Sequence, residues 1–292
     1  MAPIRVDILG VSVHAQTLAE AVDRITGWIE CGHADYVCVT GVHGVMACQD
    51  DADLRRMHNE AGMVTTDGMP LVWLSRRRVP PGAAVDRVYG PDLMEAAFSL
   101  SETRGWRHFL YGASADTLDR LRARLGVRYP RVRIVGTLSP PFGPVDAAED
   151  ARITRVIWAA RPDIVWVGLS TPKQERWMAA HVGRFNAPVL VGVGAAFDFH
   201  AGVKRQAPRW VQHAGLEWAF RLANEPRRLG RRYLSNNTRF LWAIAGRTLS
   251  ARASTIRRFS THAPASQPDS NNWRPSRFIQ KYRTNTTLRG RR

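Results

Sequence analysis

Two hydrophobic periods alternate along the first 200 residues, and few architectures accept both. Short apolar, β-branched runs, YVCVT (36–40), HFLY (108–111), VRIVG (132–136), DIVWVG (163–168) and PVLVGVG (188–194), have the length and make-up of buried strands. Among them, DADLRRMHNEAG, PDLMEAAFSLSETRG, SADTLDRLRARLG and EDARITRVIWAARP place apolar residues at helical spacing over 12 to 15 residues each. Strands that are regularly separated by helices pair side by side in parallel, so the pattern predicts an α/β, Rossmann-like fold: a mostly parallel sheet flanked by helices. Sheets of this kind bind ligands outside the carboxyl ends of their strands, and the loops after each strand are therefore where chemistry is expected.

The rhythm stops after residue 200, and so does the charge balance. Residues 1–200 carry 22 Lys+Arg against 22 Asp+Glu, whereas 201–292 carry 20 against 3, so the whole net charge of +17 lies in the last third. Only three of the 42 basic residues are lysine, and guanidinium groups fork onto phosphate oxygens. We expect an α/β domain over 1–205, a helical Arg-rich appendage over 206–258 and a disordered basic tail over 259–292. Within the appendage, helices are predicted over 215–224 and 226–234, divided by Pro226, with a third after Thr238 as its cap. On the second of these, Arg228, Arg231 and Arg232 fall at i, i+3 and i+4 on one face, joined by Arg221 from the first. The three cysteines, Cys31, Cys38 and Cys48, form no CxxC pair and read as reduced thiols of a cytoplasmic protein. The longest uncharged apolar stretch, 187–197, is too short to span a bilayer.

Four loops hold candidate residues. In VTTDGMPLVW (64–73), Asp67 follows a short strand and precedes an apolar helix that begins near Pro70; it is either a turn and cap residue or a carboxylate able to take a proton from a hydroxyl. In GLSTPKQERW (168–177), Thr171, Pro172 and Gln174 fit a capping box, while Gln174 is equally suited to hydrogen-bond a sugar or base. In DRVYGPDLM (86–94), Gly90-Pro91 starts a helix, and Arg87 either clamps a phosphate or pairs with Asp86 or Asp92. Around Gly112 and in GVGAAFDF (192–199) the glycines fall short of a complete nucleotide fingerprint, which counts against a nucleotide-dependent oxidoreductase. The nine histidines contain no HxxxH or HExxH, and His43, His58 and His108 read as core or surface residues; no metal site and no cofactor are expected.

Taken in order, VTTDGMPLVWLSR, DRVYGPDLM, GLSTPKQERW, the long block from 187 to 233 and, more loosely, YVCVTGVHGVM resemble the WecG/TagA/CpsF glycosyltransferases, colinearly over about residues 35–245. The resemblance implies inverting, metal-independent transfer of an N-acetylhexosamine from a UDP-sugar to a sugar on a membrane-embedded polyprenyl diphosphate, in polysaccharide or teichoic acid synthesis. It implies a protein held peripherally on the inner face of the plasma membrane, at an anionic surface, and able to self-associate. Carried over by motif, Asp67 is the general base, Arg87 belongs to the same pocket, Thr40 and Gln174 line the donor site, and Arg221, Arg228 and Arg231 meet the diphosphate. Where many members have Asn two residues after the position of Thr40, this chain has Val42, with His43 as the candidate substitute. Trp218, Phe220, Phe240, Leu241 and Trp242 are expected at the lipid headgroups. The competing class is a nucleic-acid-binding α/β protein with a basic arm; the charge favours it, and the lack of any recognised DNA or RNA motif counts against it.

Overall fold

The computed structural model describes residues 3–141, 143–186, 188–227, 229–230 and 235–247, and residues up to Gly246 form one compact unit. The chain opens with an antiparallel hairpin, β1 (Arg5–Ile8) and β2 (Val11–His14), which sequence periodicity did not predict. Its two-residue turn has Leu9 at φ 54 and Gly10 at φ 82, a type I′ geometry that suits the twist of a hairpin. There follow α1 (Leu18–Cys31), β3 (Asp35–Thr40), α2 (Val42–Asp50), α3 (Ala52–Glu60), β4 (Met63–Thr66), α4 (Met69–Arg76), α5 (Gly90–Arg104) and β5 (Arg107–Gly112). The second half holds α6 (Ala115–Arg128), β6 (Arg133–Leu138), α7 (Ala147–Ala160), β7 (Ile164–Gly168), α8 (Lys173–His181), β8 (Val189–Gly192), α9 (Ala196–His200), α10 (Arg209–His213) and α11 (Glu217–Asn224).

Strands β3 to β8 form a six-stranded, wholly parallel sheet in the order β4-β3-β8-β7-β5-β6, as the alternating periods predict. Both faces are covered, because the strands are apolar on both. On one face Tyr36, Cys38, Val64, Val165, Val167 and Leu190 meet α2, α3, α4, α7 and α8; on the other Val37, Leu110, Ile164, Trp166, Val189 and Val191 meet α1, α5, α6 and α9. Trp166 is fully buried, stacks with Phe98 and donates its indole N–H to His108 Nδ1 at 3.0 Å, while His108 Nε2 lies 2.8 Å from Ser101 Oγ. Burial pushes the His108 pKa down to about 3, so the ring sits there neutral, as a core residue. His58 is likewise a core residue.

Local chemistry sets the boundaries. Thr17 and Glu20 form a reciprocal capping box at the start of α1, and Gly32, at φ 67, closes it. The expected capping box at α8 does not form: the helix begins at Lys173 with Pro172 as its cap, and the Thr171 hydroxyl turns to Glu175 Oε1 at 2.9 Å. Residues 235–247 are helical, so Thr238 lies inside that helix rather than capping it, its hydroxyl donating to Ser235 O at 3.1 Å. Arg228, Arg231, Arg232 and the tail from 248 onward lie outside the described residues.

Candidate active site

The register of two neighbouring strands brings the first candidates together. Thr40 pairs with Thr66 at the carboxyl ends of β3 and β4, so Gly41 and Asp67, the next residues, stand side by side. The Asp67 N–H donates to Thr40 O at 3.0 Å, and a Cβ on Gly41 would lie 3.6 Å from Asp67 Oδ2. Thr40 is buried, its hydroxyl donating to Cys38 O at 3.3 Å, and its methyl fits against α2 only because residue 44 is glycine: a Cβ there would come within 2.9 Å of it.

A second strip, residues 86–88, is laced along β4. Val88 N donates to Thr66 O at 3.0 Å, Thr66 Oγ1 to Asp86 O at 2.8 Å and Thr65 Oγ1 to Val88 O at 3.0 Å. This lacing sets Arg87 beside Asp67, where its Nε donates to the Asp67 carbonyl oxygen at 2.7 Å. The rest of the guanidinium reaches the appendage: Nη1 donates to Gln212 Oε1 of α10 at 2.9 Å and Nη2 pairs with Glu217 of α11. Tyr89 donates its hydroxyl to Glu217 Oε1 at 3.1 Å, its ring lies 3.8 Å from the Arg87 guanidinium carbon, and Arg221 Nη1 stands 3.9 Å from Glu217 Oε1. Arg87 therefore pairs with neither Asp86 nor Asp92; its ion-pair partner is Glu217, 130 residues away.

Asp67 is half-buried at the centre of this arrangement, and its Oδ1 accepts no hydrogen bond from any described residue. Burial raises its pKa from 3.8 to about 6; Glu217 adds to the rise, and Arg87, Arg221 and the Gly90 N–H oppose it. Burial also opposes the charge of Arg87, but the Asp67 and Glu217 carboxylates outweigh it and hold that pKa above the ordinary arginine value. The result is a carboxylate that titrates just below neutrality within a frame of permanent cations, the condition a general base needs.

Gln174, on α8 after β7, is buried where the ends of β7 and β8 adjoin, and its Nε2 donates to Glu175 Oε1 at 3.0 Å. Thr40 at the end of β3, Asp67 after β4 and Gln174 after β7 thus lie along one edge of the sheet, on three of the four adjoining strands β4, β3, β8 and β7. His43, in the first turn of α2 near that edge, has Nδ1 3.0 Å from Nδ2 of Asn236, which holds the 235–247 helix to α2 together with the Arg239 to Asp50 ion pair. Sequence reasoning missed Glu217, Gln212, Tyr89 and Glu175. For Glu217 there was a signal: it is one of only three acids among 20 basic residues beyond position 200.

The appendage also differs from expectation in its apolar residues. Phe240 is buried with Ala243 and Ile244 against the body and Phe220 is half-buried, whereas Trp242 is 79% exposed, Trp210 72%, Leu241 67% and Trp218 41%. Among the described residues no helix is long and apolar enough to cross a membrane, and no group of three or more His, Cys, Asp or Glu could hold a metal ion.

A six-stranded parallel sheet covered on both faces, with Asp67, Arg87 and Arg221 gathered at its carboxyl edge, defines an α/β protein of the doubly wound class. The chain belongs to the glycosyl transferase WecG/TagA/CpsF family, which matches residues 6–254. It is similar to N-acetylglucosaminyldiphosphoundecaprenol N-acetyl-beta-D-mannosaminyltransferases of Staphylococcus aureus strains MW2, NCTC 8325 / PS 47 and COL. Each is 27% identical over 243 residues, which cover 82% of this chain and 92% of the relative.

Proposed function

We propose that this glycosyltransferase moves an N-acetylhexosamine, of the N-acetylmannosamine type, from a UDP-sugar to a polyprenyl-diphosphate-linked sugar, inverting the anomeric centre. The observation that carries the reading is Asp67: a carboxylate at the carboxyl end of β4, pushed up to about 6 and set beside Arg87 and Arg221. In this mechanism Asp67 takes the proton of the acceptor hydroxyl as that oxygen attacks C1. The C1–O bond to the diphosphate breaks, and UDP leaves with the electron pair.

Negative charge grows on the diphosphate during transfer, and we assign its stabilisation to arginines, Arg221 together with Arg228 and Arg231, without a metal ion. Arg87, whose Nε, Nη1 and Nη2 are all engaged, serves by its charge and by holding α10 and α11 against the base. Thr40 and Gln174 form the donor side. The relatives' names support the acceptor, since each specifies a sugar on diphosphoundecaprenol. Such an acceptor stays in the bilayer, so the enzyme must meet it at the cytoplasmic surface. Exposed Trp210, Trp218, Leu241 and Trp242 within the basic stretch after residue 205 support peripheral docking on anionic lipid.

Mass spectrometry of the lipid product tests the reading. Incubated with a UDP-N-acetylhexosamine panel and a short-chain polyprenyl-diphosphate-GlcNAc acceptor, the protein is expected to add one N-acetylhexosamine with one donor of the panel. An acceptor left unextended by every donor contradicts the proposal.

A further inference from the structure

Two consecutive polar side chains are buried at the start of α8, Gln174 at 3% and Glu175 at 1% exposure, and only the first has a role so far. Glu175 Oε1 accepts two hydrogen bonds, from Thr171 Oγ1 at 2.9 Å and from Gln174 Nε2 at 3.0 Å. A carboxylate oxygen offers lone pairs, and turning the Gln174 amide over would set its carbonyl oxygen against them. The amide is therefore locked, with Nε2 toward Glu175 and Oε1 directed elsewhere.

Gln174 Oε1 faces the turn after β8. A Cβ on Gly194, which sits at φ +51, would stand 3.4 Å from that oxygen. The oxygen is buried and accepts no hydrogen bond from any described residue. A buried acceptor left unpaired destabilises the fold, and a carboxylate that fixes it in that state makes sense where a ligand supplies the missing donor.

We infer that Glu175 is a positioning residue for donor recognition: it holds the Gln174 amide so that Oε1, at the Gly194 turn, accepts a hydrogen bond from an N–H of the nucleotide sugar. The inference rests on the reading of the chain as a UDP-sugar transferase. Two groups of such a donor carry the required chemistry, the uracil imide N–H and the acetamido N–H of the sugar. A free amide would present either end and tolerate either partner; a locked one rejects a ligand that brings an acceptor there.

The test is calorimetric titration of the full chain with UDP, a UDP-N-acetylhexosamine and the matching UDP-hexose without the acetamido group. The proteins are wild type, Glu175→Ala, Gln174→Ala, the double variant and Thr171→Val, which removes one anchor of Glu175 and leaves its carboxylate in place. Glu175→Ala and Gln174→Ala are each expected to weaken donor binding about tenfold, the double variant no further than Gln174→Ala alone, and Thr171→Val in the same direction by less. A loss seen equally with UDP assigns the contact to uracil; a loss confined to the N-acetylated donor assigns it to the acetamido group. Wild-type affinity in Glu175→Ala, losses that add in the double variant, or, if Glu175→Ala does not fold, wild-type affinity in Thr171→Val overturns the inference alone. A wild type that binds none of the three nucleotides overturns the transferase reading, and the inference with it.

Discussion

Asp67 owes its character to its position one residue beyond β4, where burial outweighs two nearby arginines and lifts its pKa to about 6. If the ionised form is the base, kcat/KM falls with unit slope as pH drops below about 6 and is level above it. Asp67→Asn is expected to lower kcat by about a hundredfold or more and to abolish that limb of the profile. Stability moves the other way. The folded pKa lies above the unfolded value of 3.8, so the folded state binds the extra proton, and Asp67 disfavours folding increasingly as pH rises through about 6. Thermal melts of Asp67→Asn should show a gain over wild type at pH 8 that shrinks by pH 4.5. The sequence placed Asp67 correctly in a loop after a strand, but its second cation, Arg221, comes from α11, whose Glu217 meets Arg87 in a pairing no local pattern records.

At the level of elements, the Arg87 to Glu217 pair joins the strip beside β4 to α11, with both side chains mostly out of water, at 12% and 14% exposure. Removing either partner leaves the other charge out of water without its closest counter-ion, so Arg87→Ala and Glu217→Ala should each cost about 3 kcal/mol of stability in urea titrations. Both should also cut activity, because Arg221 rides on the helix that carries Glu217. The reversed pair Arg87→Glu with Glu217→Arg should recover stability relative to either reversal alone; additive losses would show that the clasp is not a pair. A second element-level prediction concerns Gly112, at φ +118 at the end of β5, where a Cβ would lie 2.7 Å from the Gly168 backbone. Gly112→Ala should destabilise by more than about 1 kcal/mol, read from the shift in its denaturation midpoint. Periodicity revealed five of the six core strands as short apolar runs, whereas β4 entered only as the short strand before Asp67. It did not reveal the opening hairpin, whose turn puts Leu9, rather than Asn or Asp, at positive φ. Nor did it reveal that Thr171 serves Glu175 and not the α8 N-terminus, since a capping box and a side-chain relay use the same residue types.

For the molecule as a whole, the division of charge foreshadows a division of labour. Residues 1–200, neutral in sum, hold the sheet and Asp67, and the basic stretch after them reaches the edge through α10 and α11 and leaves tryptophans exposed. We expect binding to anionic vesicles that weakens with salt and falls when Trp210 and Trp242 are changed to serine; equal binding to neutral vesicles would refute an electrostatic share in docking. Composition disclosed the basic excess after residue 200, but not which apolar residues remain outside: Phe240 turns inward because residues 235–247 pack along α2. The proposed reaction is transfer from a nucleotide sugar with Asp67 as base and arginines in place of a metal. The most direct measurement is acceptor-dependent UDP release, in EDTA, by wild type and Asp67→Asn with a UDP-N-acetylhexosamine panel. Release that requires the acceptor, survives EDTA and collapses in Asp67→Asn is the predicted result; release that is unchanged in Asp67→Asn, or lost on chelation, would contradict it.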